Sequence, residues 1–366
     1  MSGTSLDGID VVLVDLAPAV PRVLAGRTIP FEPSLRTRLA HLCRPGDEHA
    51  GDPIDVLGEA DTALGRAIGE AVAALLRDAA VRAADVRAIG THGQTVRHRP
   101  PPRRDPFTLQ LGDPNLVAEH TGIPVVADFR RRDLAAGGQG APLVPAFHAA
   151  VLGAATDRVV VNMGGMANVT LLPGGRPEDA TGFDTGPGNV LLDAWARLHL
   201  LADRDDRGAW AAQATVDGAL LARLLDDPYF AAPPPKSTGR EHFDLPWLER
   251  RLAAGPTPAP AAVQATLTEL TARTIADGIR AADSLRPTEV LVCGGGRHND
   301  ALMERLTAAL PGMQVNPTDA HGLDGDWVEA VAFAWLAARR LAALPGNVPA
   351  ATGAAGPRVL GALYLP

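Results

Sequence analysis

Thr181 to Trp195 reads TGFDTGPGNVLLDAW, and the rest of the chain is organised around it. One acid, Asp184, stands among Gly182, Gly186 and Gly188, and Pro187 stiffens what reads as a turn. The run Val190, Leu191, Leu192, Ala194, Trp195 then predicts a helix driven into a core. A carboxylate held where chain passes from loop to helix projects into a cleft without burying its charge. The first N–H groups of that helix stand ready for an anion or an oxyanion. An aspartate at this place also suits a plain helix cap, and both uses of Asp184 stay open from this stretch alone.

Two stretches frame it. Val159 to Leu172, VVVNMGGMANVTLL, reads as a strand, a glycine turn and a second strand, with Asn162, Gly164, Gly165 and Asn168 at the turn. Near the start, Gly3, Thr4, Ser5, Leu6, Asp7 and Gly8 read as a turn, followed by a strand from Ile9 through Asp10 to Leu16. Small residues, hydroxyls and an acid suit a hairpin that wraps phosphates, with Asp7 or Asp10 near a magnesium ion. A hairpin wants a strand before its turn, so a strand upstream of Met1 is expected. Two such hairpins predict an internal duplication. Further on, Glu289–Cys293 enters Gly294-Gly295-Gly296 and then a helix opening at Asn299. A strand, three glycines and a helix let backbone approach a flat or anionic ligand, as nucleotide sites do.

Residues 54–82 follow helical spacing, with Leu57, Ala60, Leu64, Ile68 and Leu75 on one face. A short strand 86–90 leads to the polar turn Thr91–Thr95, whose His92 and Gln94 are placed to hydrogen-bond sugar hydroxyls, since ligands in α/β proteins sit at strand ends. Residues 97–105 read as an exposed proline- and arginine-rich loop. Arg130, Arg131 and Arg132 lie between a strand and Gly137-Gly138-Gln139-Gly140, so one of them suits an anionic group of the substrate, and that glycine run is the hinge candidate. Lys236 is the chain's only lysine, in an irregular proline-rich stretch. Asp326 to about Leu344 is a last long helix, with Glu329 in its first turn, where an acid also suits the helix dipole.

Composition narrows the classes. At 366 residues the chain exceeds one ordinary core, so two domains are expected. With 46% hydrophobic and 21% charged residues it is globular, and a formal charge of −8 speaks against a nucleic-acid partner. Cys43 and Cys293 are the only cysteines, in no metal-ligand spacing, which fits a reducing compartment. The start lacks a signal-peptide pattern, and no run reaches the roughly 18 apolar residues of a membrane span. A cytoplasmic protein is expected.

Taken together, MSGTSLDGID, THGQTVRH, VVADFRRRDLAAGGQGAPLVPAFH, VNMGGMANVT, GFDTGPGN, PKSTGRE, LVCGGGRHN and GPRVLGALY resemble the anhydro-N-acetylmuramic acid kinase family, nearly end to end. The resemblance implies an α/β chain of two duplicated actin/hexokinase-like (ribonuclease H-like) domains with a nucleotide cleft between them. Domain I is expected at 1–134 plus 345–366 and domain II at 135–344. It implies ATP and Mg²⁺ as cofactors, Asp184 as general base and Glu329 as the acid that helps place water and sugar. ATP is expected on Gly3 to Asp10 (Gly3, Thr4, Ser5, Leu6, Asp7, Gly8, Ile9, Asp10), on Asn162, Gly164, Gly165 and Asn168, and on Gly294 to Gly296. The sugar is expected against His92, Gln94, Asp128, Arg131, Gly186 and Asn189. The implied activity opens 1,6-anhydro-N-acetylmuramic acid with water and phosphorylates O6 in peptidoglycan recycling and amino-sugar catabolism, in a cytoplasmic homodimer. The alternatives are a kinase of another amino sugar or small carboxylate on the same fold, or an actin- or Hsp70-like ATPase that is not a kinase.

Overall fold

The computed structural model describes residues 1–2, 8–43, 52–240, 242–282 and 285–366. Gly3, Thr4, Ser5, Leu6 and Asp7, five of the expected phosphate-loop residues, lie outside the described residues. The chain divides into two units, Met1–Leu152 with Trp327–Pro366, and Gly153–Asp326.

In the first unit, β1 (Gly8–Asp15) and β2 (Arg22–Pro30) form an antiparallel hairpin. The backbone of Met1 meets β1 on its own account, exchanging two hydrogen bonds with Asp10. Next come β3 (Ile89–Gly90), β4 (Gln94–Arg99), β5 (Phe107–Leu111) and β6 (Val125–Ala127). β4 pairs antiparallel with β5, so Arg97, His98 and Arg99 belong to a strand where the sequence reads as loop. The polarity of this strand hides it: Val96 is its one buried aliphatic residue. The expected helix runs from Pro53 to Asp78, capped by the Asp52 carboxylate, and buries Leu64, Ile68 and Leu75. Spacings of four and seven residues place them on one stripe.

The second unit holds β7 (Arg158–Met163), β8 (Met166–Leu172), β9 (Thr181–Pro187), β10 (Glu289–Cys293) and β11 (Gln314–Pro317). Their order is β11-β10-β7-β8-β9: an antiparallel meander β7-β8-β9, with β10 and β11 parallel to β7. Val159, Val161, Val169, Phe183, Val290 and Val292 pack on Ile275 and Leu302 to form its core. The helix Asn189–Leu200 buries Leu191, Leu192 and Trp195 in a second cluster with Leu220 and Trp247. β12 (Ala362–Tyr364) returns to the first unit, antiparallel to β6.

Both glycine-rich expectations change in detail. Asp184 lies inside β9, not in a turn, and the cap position of the following helix is Gly188. The capping use of Asp184 is therefore excluded. The Gly137–Gly140 run lies within the first unit, and the break falls after Leu152. The last long helix, Val328–Leu341, also belongs to the first unit, because its Phe333 packs on Phe129 and His92.

The fully buried Asp133 explains why the glycine run is tied down. Its Oδ2 accepts from the Gly140 N–H at 2.8 Å, and its Oδ1 accepts from Asn347 Nδ2 at 2.6 Å and Thr352 Oγ1 at 2.8 Å. Truncating this acid strands three donors. Asp133→Ala should lower the unfolding free energy by about 3 kcal/mol or more. Denaturant unfolding measures this, and a loss below about 1 kcal/mol would show that the carboxylate does not staple the segment.

Candidate active site

Pairing register builds the site in the second unit. Asn162 stands opposite Asn168, and Asn168 opposite Asp184, across β7, β8 and β9. Directly paired residues share a face of the sheet. Their neighbours Val161, Met163, Val169 and Phe183 are buried in the core, so the three polar residues form a row on the other face. Asn162, Asn168 and Asp184 are all half-buried. The row ends beside the Gly164-Gly165 turn, and Gly294 and Gly296 come up against Asn162, Met163 and Asn189. The structure thus brings together Asn162, Gly164, Gly165, Asn168, Asp184, Asn189 and the triple glycine.

Two glycines are required here. Gly186 has φ of +150°, and a Cβ on it would come within 2.7 Å of the Phe230 ring. A Cβ on Gly188 would meet the Gly164 carbonyl oxygen at 2.3 Å. That close approach lets the glycine turn cap the helix: Gly164 O accepts from Asn189 N at 2.8 Å, and Gly165 O accepts from Gly188 N at 2.9 Å and Val190 N at 3.1 Å. The helix-start amides expected to receive an anion are therefore already taken by carbonyls.

The Asp184 carboxylate is held from the segment Lys236–Thr238. Its Oδ2 accepts from Ser237 Oγ at 3.0 Å and from the Thr238 N–H at 3.0 Å. Two donors on one carboxylate favour its ionised form. The Tyr229 hydroxyl donates to the Asp184 carbonyl at 2.7 Å, and burial together with the Asp184 charge pushes the Tyr229 phenol well up, keeping it neutral. An ionised carboxylate in this setting can take a proton from water. No site role is expected from the sequence for Ser237 or Thr238, although both lie in the PKSTGRE motif beside the unusual lysine.

The first unit gathers a second group. His92 Nδ1 donates to Gly93 O at 2.7 Å, leaving Nε2 to accept from Arg130 Nε at 2.9 Å, which fixes a neutral imidazole. Arg130 also donates to Gly140 O at 2.8 Å. Burial lowers its pKa to about 10 against the opposing charges of Glu329 and Asp133. Gln94 is buried and accepts a hydrogen bond from Ser2 Oγ. Of the three arginines, Arg130 is the one beside His92, whereas the Arg131 side chain is 71% exposed and pairs with Asp128 at 3.5 Å. Asp128 is half-buried, and that burial raises its carboxyl. Glu329 lies in the first turn of its helix.

Asp10 accepts from Thr28 Oγ1 across the hairpin at 2.6 Å. Among the described residues no group of three or more His, Cys, Asp or Glu forms a metal cluster. Magnesium arriving with ATP asks for only one or two carboxylates besides phosphates and water, and Asp10 fits that demand.

The strand order of the second unit, an antiparallel meander followed by two parallel strands, defines the ribonuclease H-like sheet of the actin and hexokinase group. The family model for anhydro-N-acetylmuramic acid kinase matches residues 1–366, and the chain belongs to that family. It is 53% identical over 371 residues to the anhydro-N-acetylmuramic acid kinase of Xanthomonas campestris pv. campestris (strain 8004), covering 100% of this chain and 96% of that one. It is 54% identical over 368 residues to the Bordetella petrii protein of the same name, covering 100% and 94%. Among solved structures, a PilM-PilN type IV pilus biogenesis complex aligns with TM-score 0.44 at 15% identity, covering 90% of this chain and 95% of that one. A ROK hexokinase from Thermus thermophilus aligns with TM-score 0.31 at 18% identity, covering 90% and 99%.

Burial makes the protein acid-sensitive. His92 is held well below the ordinary histidine value by burial and by Arg130, and His148 is pushed down to about 3 by burial. Unfolded, each takes a proton near pH 6.5. Their folded values are lower, so stability is full above that pH and is lost as pH falls through it. Between pH 7.5 and 5.5 the unfolding free energy should drop by roughly 1.4 kcal/mol for each of the two. Urea titrations across that window, above the range of ordinary carboxylates, check this, and a flat profile would refute it.

Proposed function

We propose that this chain is an ATP-dependent anhydro-N-acetylmuramic acid kinase that hydrolyses the 1,6-anhydro ring of its sugar and phosphorylates O6, yielding N-acetylmuramic acid 6-phosphate and ADP. The observation that carries the reading is the row Asn162, Asn168, Asp184, ending at the glycine turn and the triple glycine. Family membership supplies the substrate.

The chemistry follows from the sugar. An anhydro sugar has no free O6 hydroxyl, so a base must act on water. Asp184 takes a proton from that water as its oxygen bonds to the anomeric carbon and the bond from that carbon to O6 breaks. O6 then attacks the γ-phosphorus of ATP, and ADP leaves. Base catalysis of this kind contributes about 10²- to 10⁴-fold, and preorganised donors toward the phosphoryl oxygens supply much of the rest. Asn162, Asn168, Gly164 and Gly165 are assigned to the phosphates, and Gly294–Gly296 to the nucleoside. His92, Gln94 and Arg130 are assigned to the sugar in the first unit, ahead of Arg131, because His92 and Gln94 are buried and Arg130 bonds to His92. Glu329 is taken as the acid that helps place water and sugar. Magnesium, held by Asp10, would neutralise phosphate charge. The same reading takes the working form as a cytoplasmic homodimer with small-molecule partners; among the described residues no helix is long and apolar enough to cross a membrane.

Asp184→Asn keeps the shape and removes the base. Turnover of the anhydro sugar should fall at least about 10³-fold while ATP affinity, read by calorimetry, stays within about twofold. Near-normal turnover would remove Asp184 as the base. Incorporation of labelled water oxygen at the anomeric carbon separates this enzyme from a kinase of the ring-opened sugar.

A further inference from the structure

The segment Lys236–Thr238 pairs with β9 at Asp184 and directs several of its polar groups to that residue and to the Tyr229–Phe230 backbone. Asp184 N–H donates to Lys236 O at 3.1 Å. Ser237 Oγ and the Thr238 N–H donate to Asp184 Oδ2, each at 3.0 Å. Lys236 Nζ donates to the carbonyls of Tyr229 and Phe230, each at 3.1 Å, and sits 4.9 Å over the Tyr229 ring. Tyr229 closes the circuit through its hydroxyl on Asp184 O at 2.7 Å. The chain's only lysine therefore ties down the segment that grips the carboxylate. One polar atom is left over: Thr238 Oγ1 is buried and has no hydrogen-bond partner among the described residues. A buried hydroxyl without a partner is uncommon, and a water or sugar hydroxyl beside Asp184 would satisfy it.

We propose that Ser237 is a positioning residue for Asp184: its hydroxyl, with the Thr238 N–H, fixes the carboxylate plane and keeps it ionised for proton transfer from water, and Lys236 fixes Ser237. This rests on the reading of Asp184 as the base. A carboxylate with one donor has more freedom to rotate than one with two, and orientation is worth rate. Losing a donor also raises the carboxyl pKa. Among the described residues, the titratable groups near Asp184 include Tyr229, which stays neutral, and Lys236, whose ammonium is turned to the two carbonyls.

The test uses the full chain with 1,6-anhydro-N-acetylmuramic acid and ATP. Ser237 is exposed, so Ser237→Ala should melt within a few degrees of the parent. Its kcat should fall roughly tenfold, with KM for ATP unchanged, and the acid limb of kcat should move to higher pH. Ser237→Thr, which keeps the hydroxyl, should restore both. On the Asp184→Asn background Ser237→Ala should cost nothing further. A Ser237→Ala enzyme with parental kcat and acid limb overturns the proposal while Asp184→Asn stays dead. If Asp184→Asn itself turns over normally, the base reading fails and takes this one with it.

Discussion

One extra residue in β9 decides where the acid points. Ala167 pairs with Gly186 and Asn168 with Asp184, so Thr185 has no partner of its own on β8. This is a β-bulge, which kinks a strand and re-aims the side chains beyond it. Since side chains alternate between faces, a slip of one would exchange the core set for the polar set. The bulge keeps Phe183 in the core opposite Val169 and holds Asp184 on the polar face opposite Asn168. Thr185 is buried, and its hydroxyl bonds to Ala167 O at 3.2 Å, so the irregularity leaves no polar group of that side chain unmet. Gly186 supplies the backbone freedom that the bend needs.

The surrounding packing serves the same end. The Gly164-Gly165 turn presses on Gly188 and gives its carbonyls to the helix that follows β9. The long helix Pro260–Arg280 sends Thr271 Oγ1 to the carbonyls of Pro187 and Gly188 at 3.0 and 3.2 Å. The chain leaving β9 is thereby held from two sides. What stays adjustable around Asp184 is the side chain itself, and Lys236–Thr238 is the element that restrains it.

The first unit shows another way of keeping charge indoors. Arg130 reaches His92 and a carbonyl, with the negative field of Glu329 and Asp133 near it. Asp133 in turn holds the glycine run and the C-terminal stretch. Each buried charge has directed partners, the condition under which burial is tolerated. The neutral tautomer of His92 follows from the same arrangement, because a protonated ring could not accept from a guanidinium.

Much of this was legible in the residues. Alternating valines around VVVNMGGMANVTLL read correctly as two strands about a glycine turn, and the three- and four-residue spacing after Pro53 read correctly as a helix, because both patterns are local consequences of which face is buried. The long motifs led to the family, which the whole chain matches. Other features depend on chain segments far apart in sequence. β4, QTVRHR, lacks an apolar signature and exists because β5 offers an edge to pair with, and the three-residue β12 exists because β6 does. Glycines around Asp184 read as a turn, but β8 supplies a partner that makes them a strand. Which of three adjacent arginines faces His92 is set by how β6 ends, with Asp128 at φ of +56° before the chain turns into Arg131–Ala135. Residue types thus determined the chemistry available to the protein, and only long-range pairing and burial decided which copy of each group stands where that chemistry can occur.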